Sequence, residues 1–144
     1  MENFDIKGIW KGEYLYDDRF QPSVVKIPVP FILKIKSPDN DGLFEGICQD
    51  DPSISQIHFA ADVFGRLEST GLIFTKRYPK TIFHDSFGKL VTMDQPQPDV
   101  IYQAKIKTTG RILGTWKVER TFRKLNDKLM QIGPISGIWW MERF

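Results

Sequence analysis

The sequence repeats one tripeptide pattern, glycine–x–tryptophan, three times: Gly8-Ile9-Trp10, Gly114-Thr115-Trp116 and Gly137-Ile138-Trp139. Residues i and i+2 of a β-strand lie on the same face. Each triplet therefore places a missing side chain beside the largest one. Alternation of small and large residues is typical of the interior of a small β-barrel, and glycine permits the bending that closure requires. The pattern predicts how the chain closes rather than a chemical activity.

Around these triplets, short runs of alternating apolar and polar residues are separated by Gly, Pro, Asn and Asp, which is typical of strands joined by turns. Hairpin turns are predicted at 39–42, 69–71 and 108–110, where Gly, Asn or Asp tolerates a positive φ angle. The pattern predicts eight strands, at about residues 7–16, 29–36, 43–49, 59–68, 72–78, 100–107, 111–119 and 136–143.

Eight consecutive antiparallel strands can close into a barrel that has no free sheet edge. We therefore predict an all-β fold, an eight-stranded antiparallel up-and-down barrel formed by a single domain, residues 1–144. Three connections exceed the length of a turn, at 17–28, 79–99 and 121–132, and they are candidate rims of a cavity.

Two of these connections carry patterns of their own. Segments 81–83 and 89–91 favour a small hairpin extension. Residues 121–132 are predicted to form one short helix before the last strand. This prediction rests on apolar residues at helical spacing, Phe122, Leu125, Leu129 and Ile132.

Composition narrows the class of function. The formal net charge of +2 gives no electrostatic reason to expect a nucleic-acid or membrane partner. No stretch reaches the roughly 20 apolar residues of a membrane span, and the N-terminus does not resemble a signal peptide. The single cysteine, Cys48, cannot form an internal disulfide. Together these features predict a cytoplasmic location.

The sequence offers little catalytic chemistry. His58 and His84 have no neighbouring metal ligands in the sequence, so no metal site and no cofactor are predicted. The acidic pairs at 17–18 and 50–51 lie at strand ends and are interpreted as turn residues. We expect no enzymatic activity, although acid–base catalysis by these carboxylates stays open as a third hypothesis.

Alternation assigns an inner face to each strand, and on the fifth strand that face includes Lys76. Aromatic walls with one cation would suit a ligand that has a flat apolar body and an anionic group. The same side chains could instead fill a solid barrel, with Lys76 reaching the rim or pairing with an inner carboxylate. The candidate ligand-binding residues are Tyr14, Tyr16, Phe74, Lys76, Tyr78, Tyr102, Trp116, Trp139 and Met141.

The eight-strand pattern, with Gly8 and Trp10 on the first strand and Arg143 late on the last, resembles the calycin superfamily of lipocalins, cytosolic fatty-acid-binding proteins and avidins. In lipocalins a late arginine packs across the first-strand tryptophan. The resemblance therefore implies that Arg143 covers Trp10 and closes the barrel. It identifies no particular ligand. The leading functional hypothesis, non-catalytic binding of a small apolar or amphipathic ligand inside the barrel, rests on the inward aromatic set with Lys76. The single cysteine departs from the disulfide-bonded lipocalins, and 21–25 does not resemble the helix pair of fatty-acid-binding proteins.

The other face of the last strand supports an alternative function. Ile138 and Trp140 are predicted to face outward there, and Phe144 follows them. An exposed tryptophan among apolar neighbours is typical of a partner surface. The alternative is therefore a filled-barrel protein–protein interaction module with no small-molecule ligand. A homodimer is one form that such a module would take.

Overall fold

The computed structural model describes residues 4–17, 27–84, 90–95, 98–107, 110–125 and 127–144. Within these ranges no helix is long and apolar enough to cross a membrane. The elements are β1 (Gly8–Tyr16), β2 (Val29–Ile35), β3 (Leu43–Asp50), α1 (Pro52–Ser55), β4 (Ala61–Leu67), β5 (Gly71–Arg77), β6 (Thr81–His84), β7 (Leu90–Met93), β8 (Val100–Lys105), β9 (Arg111–Val118), β10 (Thr121–Leu125), β11 (Lys128–Ile132) and β12 (Ile135–Arg143).

Eight of these strands form a closed antiparallel barrel. Its order is β1-β2-β3-β4-β5-β8-β9-β12, and β12 pairs back onto β1. Each barrel strand therefore neighbours the next barrel strand along the chain. The predicted all-β, eight-stranded, up-and-down architecture is confirmed, and it is compatible with a calycin-like fold.

The remaining four strands form two hairpins. The predicted extension is present, because β6 pairs with β7 from Thr81↔Met93 to His84↔Leu90. Its apex, 85–89, lies outside the described residues.

The predicted helix at 121–132 is wrong, because β10 and β11 form a hairpin there. Asp127 takes a left-handed backbone conformation, with a φ of 65°, which turns the chain between the two strands. Phe122 and Leu129 are 50% and 67% exposed. An amphipathic helix gains most of its stability by burying its apolar face, and here Phe122 and Leu129 of that stripe stay largely in solvent, while Ile132 is buried. The helix of the described residues is instead α1, which begins after Asp51.

The second and third glycine–x–tryptophan triplets are cross-strand partners. Trp116 of β9 lies opposite Gly137 of β12, and Trp139 lies opposite Gly114. The Trp116 indole thus occupies the space above Gly137, whereas the space above Gly114 is filled by Gln103 and Ala104 of β8. The Trp116 Nε1–H donates to the Leu15 carbonyl (3.1 Å), so the ring reaches across β12 to β1. The small and large residues therefore complement each other between strands as well as along them.

The first triplet lies at the opposite end of the barrel from the hairpins. Trp10 is 2% exposed, and its Nε1–H donates to the Ile6 carbonyl (2.8 Å). The Arg143 guanidinium lies 4.3 Å from the Trp10 ring centroid and donates to the carbonyls of Asp5 and Lys7. The guanidinium therefore ties the N-terminal segment across this end of the barrel.

The two ends of the barrel differ in their connections. Near Trp10 the barrel strands are joined by short segments, 36–42, 68–70 and 106–110. The opposite end, which we call the loop-rich end, carries all the longer ones, 17–28, 51–60, 78–99 and 119–134. Long connections on a rigid scaffold are where binding residues concentrate, so the loop-rich end is the place to look for a site.

The close fit at Gly137 gives a test of the barrel's packing. A Cβ added there would meet the Leu15 carbonyl oxygen and would lie 2.5 Å from the Trp116 indole nitrogen. Gly137→Ala should therefore lower the free energy of unfolding by about 1–3 kcal/mol, measured by urea denaturation. Gly110→Ala is the matched control, since a Cβ there meets nothing within 4 Å. Equal stability of the two variants would contradict the packing described.

Candidate functional site

A buried ion pair lies at the loop-rich end of the barrel interior. Lys76 Nζ on β5 lies 2.6 Å from Asp50 Oδ1 on β3, and both residues are 1% exposed. Strand β4 runs between them, and its inward residues there, Ala61 and Val63, are small. This space lets the lysine side chain cross the face of β4 to reach the carboxylate.

Hydrogen bonds fix the Asp50 carboxylate on both oxygens. Oδ1 accepts from Lys76 and, at 3.9 Å, from the Cys48 thiol. Oδ2 accepts from the hydroxyls of Tyr14 (3.3 Å) and Tyr78. A carboxylate is a strong acceptor, so these four donors occupy its capacity and hold it in place.

Aromatic rings surround the Lys76 ammonium. Its Nζ lies 4.8 Å from the ring centroid of Tyr14, 5.0 Å from that of Tyr78, and 5.7 Å from those of Phe31 and Tyr102. These distances are within the range of cation–π attraction. Among the described residues the oxygen acceptor of this ammonium is Asp50, and the Cys48 sulfur also lies within its hydrogen-bonding reach.

All four tyrosines of the chain gather in this cluster: Tyr14, Tyr16, Tyr78 and Tyr102. Tyr14 and Tyr78 use their hydroxyls on Asp50. The hydroxyls of Tyr16 and Tyr102 form no hydrogen bond within the part of the chain that the structure describes, although Tyr102 is only 2% exposed. A buried hydroxyl without a protein partner is uncommon, so the Tyr102 hydroxyl is an unpartnered donor of the cluster.

The structure places the predicted ligand-binding residues in three groups. The first set is at the loop-rich end, where Trp116 lies edge-on to Tyr14 and Tyr16, with ring centroids 5.9 and 5.0 Å away. Phe74 and Trp139 adjoin that set: Phe74 lies opposite Tyr102 and stacks on it at 4.8 Å, and Trp139 lies opposite Tyr14. Met141 lies deeper, opposite Gly12, and is not brought to the cluster. The residues at the loop-rich end are Tyr14, Tyr16, Lys76, Tyr78, Tyr102 and Trp116.

The predicted interface residues lie on the outer face of the barrel. Ile138 and Phe144 are 59% and 75% exposed. Trp140 is half-buried: the Arg111 guanidinium covers its ring at 4.2 Å, and its Nε1–H donates to Glu13 (3.2 Å). Contacts within the chain therefore already cover part of the Trp140 side chain.

Asp50 is the functional residue that the sequence analysis missed. Reading 50–51 as turn residues is correct for Asp51, which caps α1 by accepting from the Ser53 N–H (2.9 Å), and wrong for Asp50. The signal was present, because Phe44, Cys48 and Asp50 share one parity along β3. Extending the predicted strand by one residue would have placed a carboxylate on the inner face, where Lys76 requires one.

Burial and the Asp50 charge set the ionisation of the cluster. Burial first, and then the Asp50 charge, raise the pKa of Tyr14, Tyr78 and Tyr102 above the ordinary value. Burial raises the pKa of the Cys48 thiol to about 12. Burial alone would lower the pKa of Lys76, but Asp50 and the other nearby groups outweigh it, so the net direction is upward.

These directions set the protonation of the cluster at neutral pH. They keep the phenols and the thiol protonated and the ammonium charged at neutral pH. General acid–base catalysis needs a pKa near the working pH, and these shifts move away from it. Among the described residues, no three His, Cys, Asp or Glu side chains are placed to hold a metal ion. The described cluster therefore provides hydrogen-bond donors and aromatic surface.

Comparisons of the chain with protein-family models, with curated proteins and with solved structures find no match. The closed barrel and the chemistry of its inner face are therefore the basis for a functional proposal.

Because every tyrosine is in the cluster, titration of the tyrosines tests their described burial directly. The folded protein keeps its phenolic protons above pH 10, where the unfolded chain releases them, so stability should fall as pH rises past about 10. We expect the tyrosinate absorbance of the native protein at pH 10 to stay well below that of the unfolded chain. The same protein unfolded in urea, as the control, should titrate near the ordinary tyrosine pKa of about 10. Ordinary titration of even one tyrosine in the native protein would contradict the described burial.

Proposed function

We propose that the protein binds a small amphipathic ligand at the loop-rich end of a calycin-like barrel, without catalysis. One observation carries this proposal: the buried Lys76–Asp50 pair and all four tyrosines converge at the end that bears every long connection. At the other end the turns are short, and Arg143 covers Trp10. Polar chemistry is thus concentrated where a ligand could enter.

The energetics of the ion pair support a role beyond stability. Removing two charges from water costs several kcal/mol per ion, and an apolar pair of similar volume often stabilises a fold as well or better. A barrel that needed only a filled core would gain nothing from Lys76 and Asp50. Their presence at the loop-rich end is accounted for if they recognise something that binds there.

The charge balance of the site narrows the chemical class of ligand that would bind there. The sequence alone suggested an anionic group to match Lys76, but Asp50 already neutralises that charge at 2.6 Å. The rings of Tyr14, Tyr16 and Trp116 pack together beside the ion pair. Such rings have flat apolar surfaces. An uncharged ligand with a flat apolar body fits this combination better than a fatty-acid-like anion.

A second candidate function is supported by the outer face of the barrel. Leu113, Ile138 and Phe144 are 61%, 59% and 75% exposed, and Leu113 lies opposite Trp140. Exposed apolar side chains on neighbouring strands are typical of a protein–protein surface. A filled-barrel interaction module, including a homodimer, would use this face.

Titration with a neutral hydrophobic fluorophore, N-phenyl-1-naphthylamine, tests the leading proposal. We expect saturable binding of one molecule per barrel, with enhanced probe fluorescence and quenched tryptophan fluorescence, since Trp116 borders the site. Tyr16→Ala, which removes a ring beside Trp116, should weaken binding roughly fivefold.

Ile138→Ala is the matched control for that titration. It also removes an apolar side chain from the same end of the barrel, but from the outer face, where Ile138 is 59% exposed. Binding should be unchanged. If no saturable binding occurs, or if only Ile138→Ala weakens it, the interior site is refuted and the outer-face function is favoured.

A further inference from the structure

Two buried groups in the cluster have donor capacity that no oxygen acceptor uses. The Lys76 ammonium carries three N–H groups, and among the described residues its acceptors are Asp50 Oδ1 and the weaker Cys48 sulfur. The Tyr102 hydroxyl has none within the same residues. The two residues are 1% and 2% exposed, so neither donor is satisfied by open solvent. Buried donors of this kind are expected to have a partner.

The two donors lie on neighbouring strands. Lys76 on β5 and Tyr102 on β8 belong to paired strands, and Lys76 Nζ lies 5.7 Å from the Tyr102 ring centroid. Stacking on Phe74 at 4.8 Å, with an angle of 11° between the rings, fixes the tyrosine ring. The Tyr102 hydroxyl is therefore carried on a fixed ring beside Lys76.

The acceptors of the cluster are already in use. Asp50 Oδ1 takes Lys76 and Cys48, and Oδ2 takes Tyr14 and Tyr78. A ligand group that enters beside the pair consequently meets unused donors and no unused carboxylate oxygen. The group has to be a hydrogen-bond acceptor.

Charge then selects the kind of acceptor. A carboxylate or phosphate would bring a second negative charge beside Asp50 in a buried site where Lys76 supplies only one positive charge. An uncharged carbonyl oxygen accepts hydrogen bonds without that cost. We infer that the ligand presents the carbonyl oxygen of an amide, urea or ketone to the Lys76 ammonium and the Tyr102 hydroxyl. This inference rests on the proposed function and specifies the chemistry of its ligand.

Three naphthalene probes of similar size test the inference: naphthalene-1-carboxamide, 1-naphthoate and 1-ethylnaphthalene, each displacing bound N-phenyl-1-naphthylamine. We expect the carboxamide to bind at least roughly tenfold more tightly than either of the others. Equal or tighter binding of the naphthoate would overturn the inference and leave the proposed function standing. Failure of the fluorophore itself to bind would refute the proposed function, so the two failures are distinguishable.

A pair of tyrosine variants tests which hydroxyl donates to the carboxamide oxygen. Tyr102→Phe keeps the ring stacked on Phe74 and removes the unpartnered hydroxyl, so it should abolish most of the carboxamide preference, taken as the ratio of carboxamide to 1-ethylnaphthalene affinity in the same variant. Tyr78→Phe is the control, because its hydroxyl is committed to Asp50. It should keep the carboxamide preference. If the two variants behave alike, Tyr102 is not the donor.

A measurement on the unaltered protein tests the inference even if a variant fails to fold. Infrared spectroscopy of carbonyl-labelled naphthalene-1-carboxamide reports hydrogen bonding to its oxygen directly. In the complex, the carbonyl stretch should lie below its frequency in an apolar solvent. A bound carbonyl at the apolar-solvent frequency would refute the donor pair.

Discussion

The charge of Lys76 inside the barrel has to be balanced within hydrogen-bonding distance, and Asp50 balances it at 2.6 Å. An isolated ammonium would be too costly to bury. This constraint explains the residues around the pair. The small side chains of Ala61 and Val63 leave room for the lysine to cross β4. The hydroxyls of Tyr14 and Tyr78 supply the remaining donors that a buried carboxylate needs.

Closure of the barrel is achieved separately, by the glycine–x–tryptophan triplets. Trp116 lies over Gly137 on the strand opposite, which packs β9 against β12, and Arg143 over Trp10 covers the far end. The guanidinium that closes the barrel is thus at one end, and the polar cluster lies at the other, beside Trp116.

Much of this structure could be predicted from the sequence, because period-two alternation depends only on which face of a strand is buried. It placed Lys76 on the inner face together with Tyr14, Tyr78 and Tyr102. Asp50 was missed because carboxylates near a strand end usually serve turns, and its burial depends on a lysine two strands away. The hairpin at 121–132 was missed because its apolar spacing fits a helix, although Phe122 and Leu129 are exposed in the structure. The burial of Asp50 depends on a contact that is distant in the chain, and the exposure of the hairpin depends on its position beside the barrel; local patterns report neither.

The central claim is that the buried pair serves binding rather than stability, and a double variant, Lys76→Met with Asp50→Leu, tests it most directly. Urea unfolding and naphthalene-1-carboxamide affinity are measured on the same preparation. The account predicts a free energy of unfolding within about 1 kcal/mol of the parent or higher, and carboxamide binding at least roughly tenfold weaker. A double variant that is much less stable, yet binds the carboxamide as tightly as the parent, would contradict it.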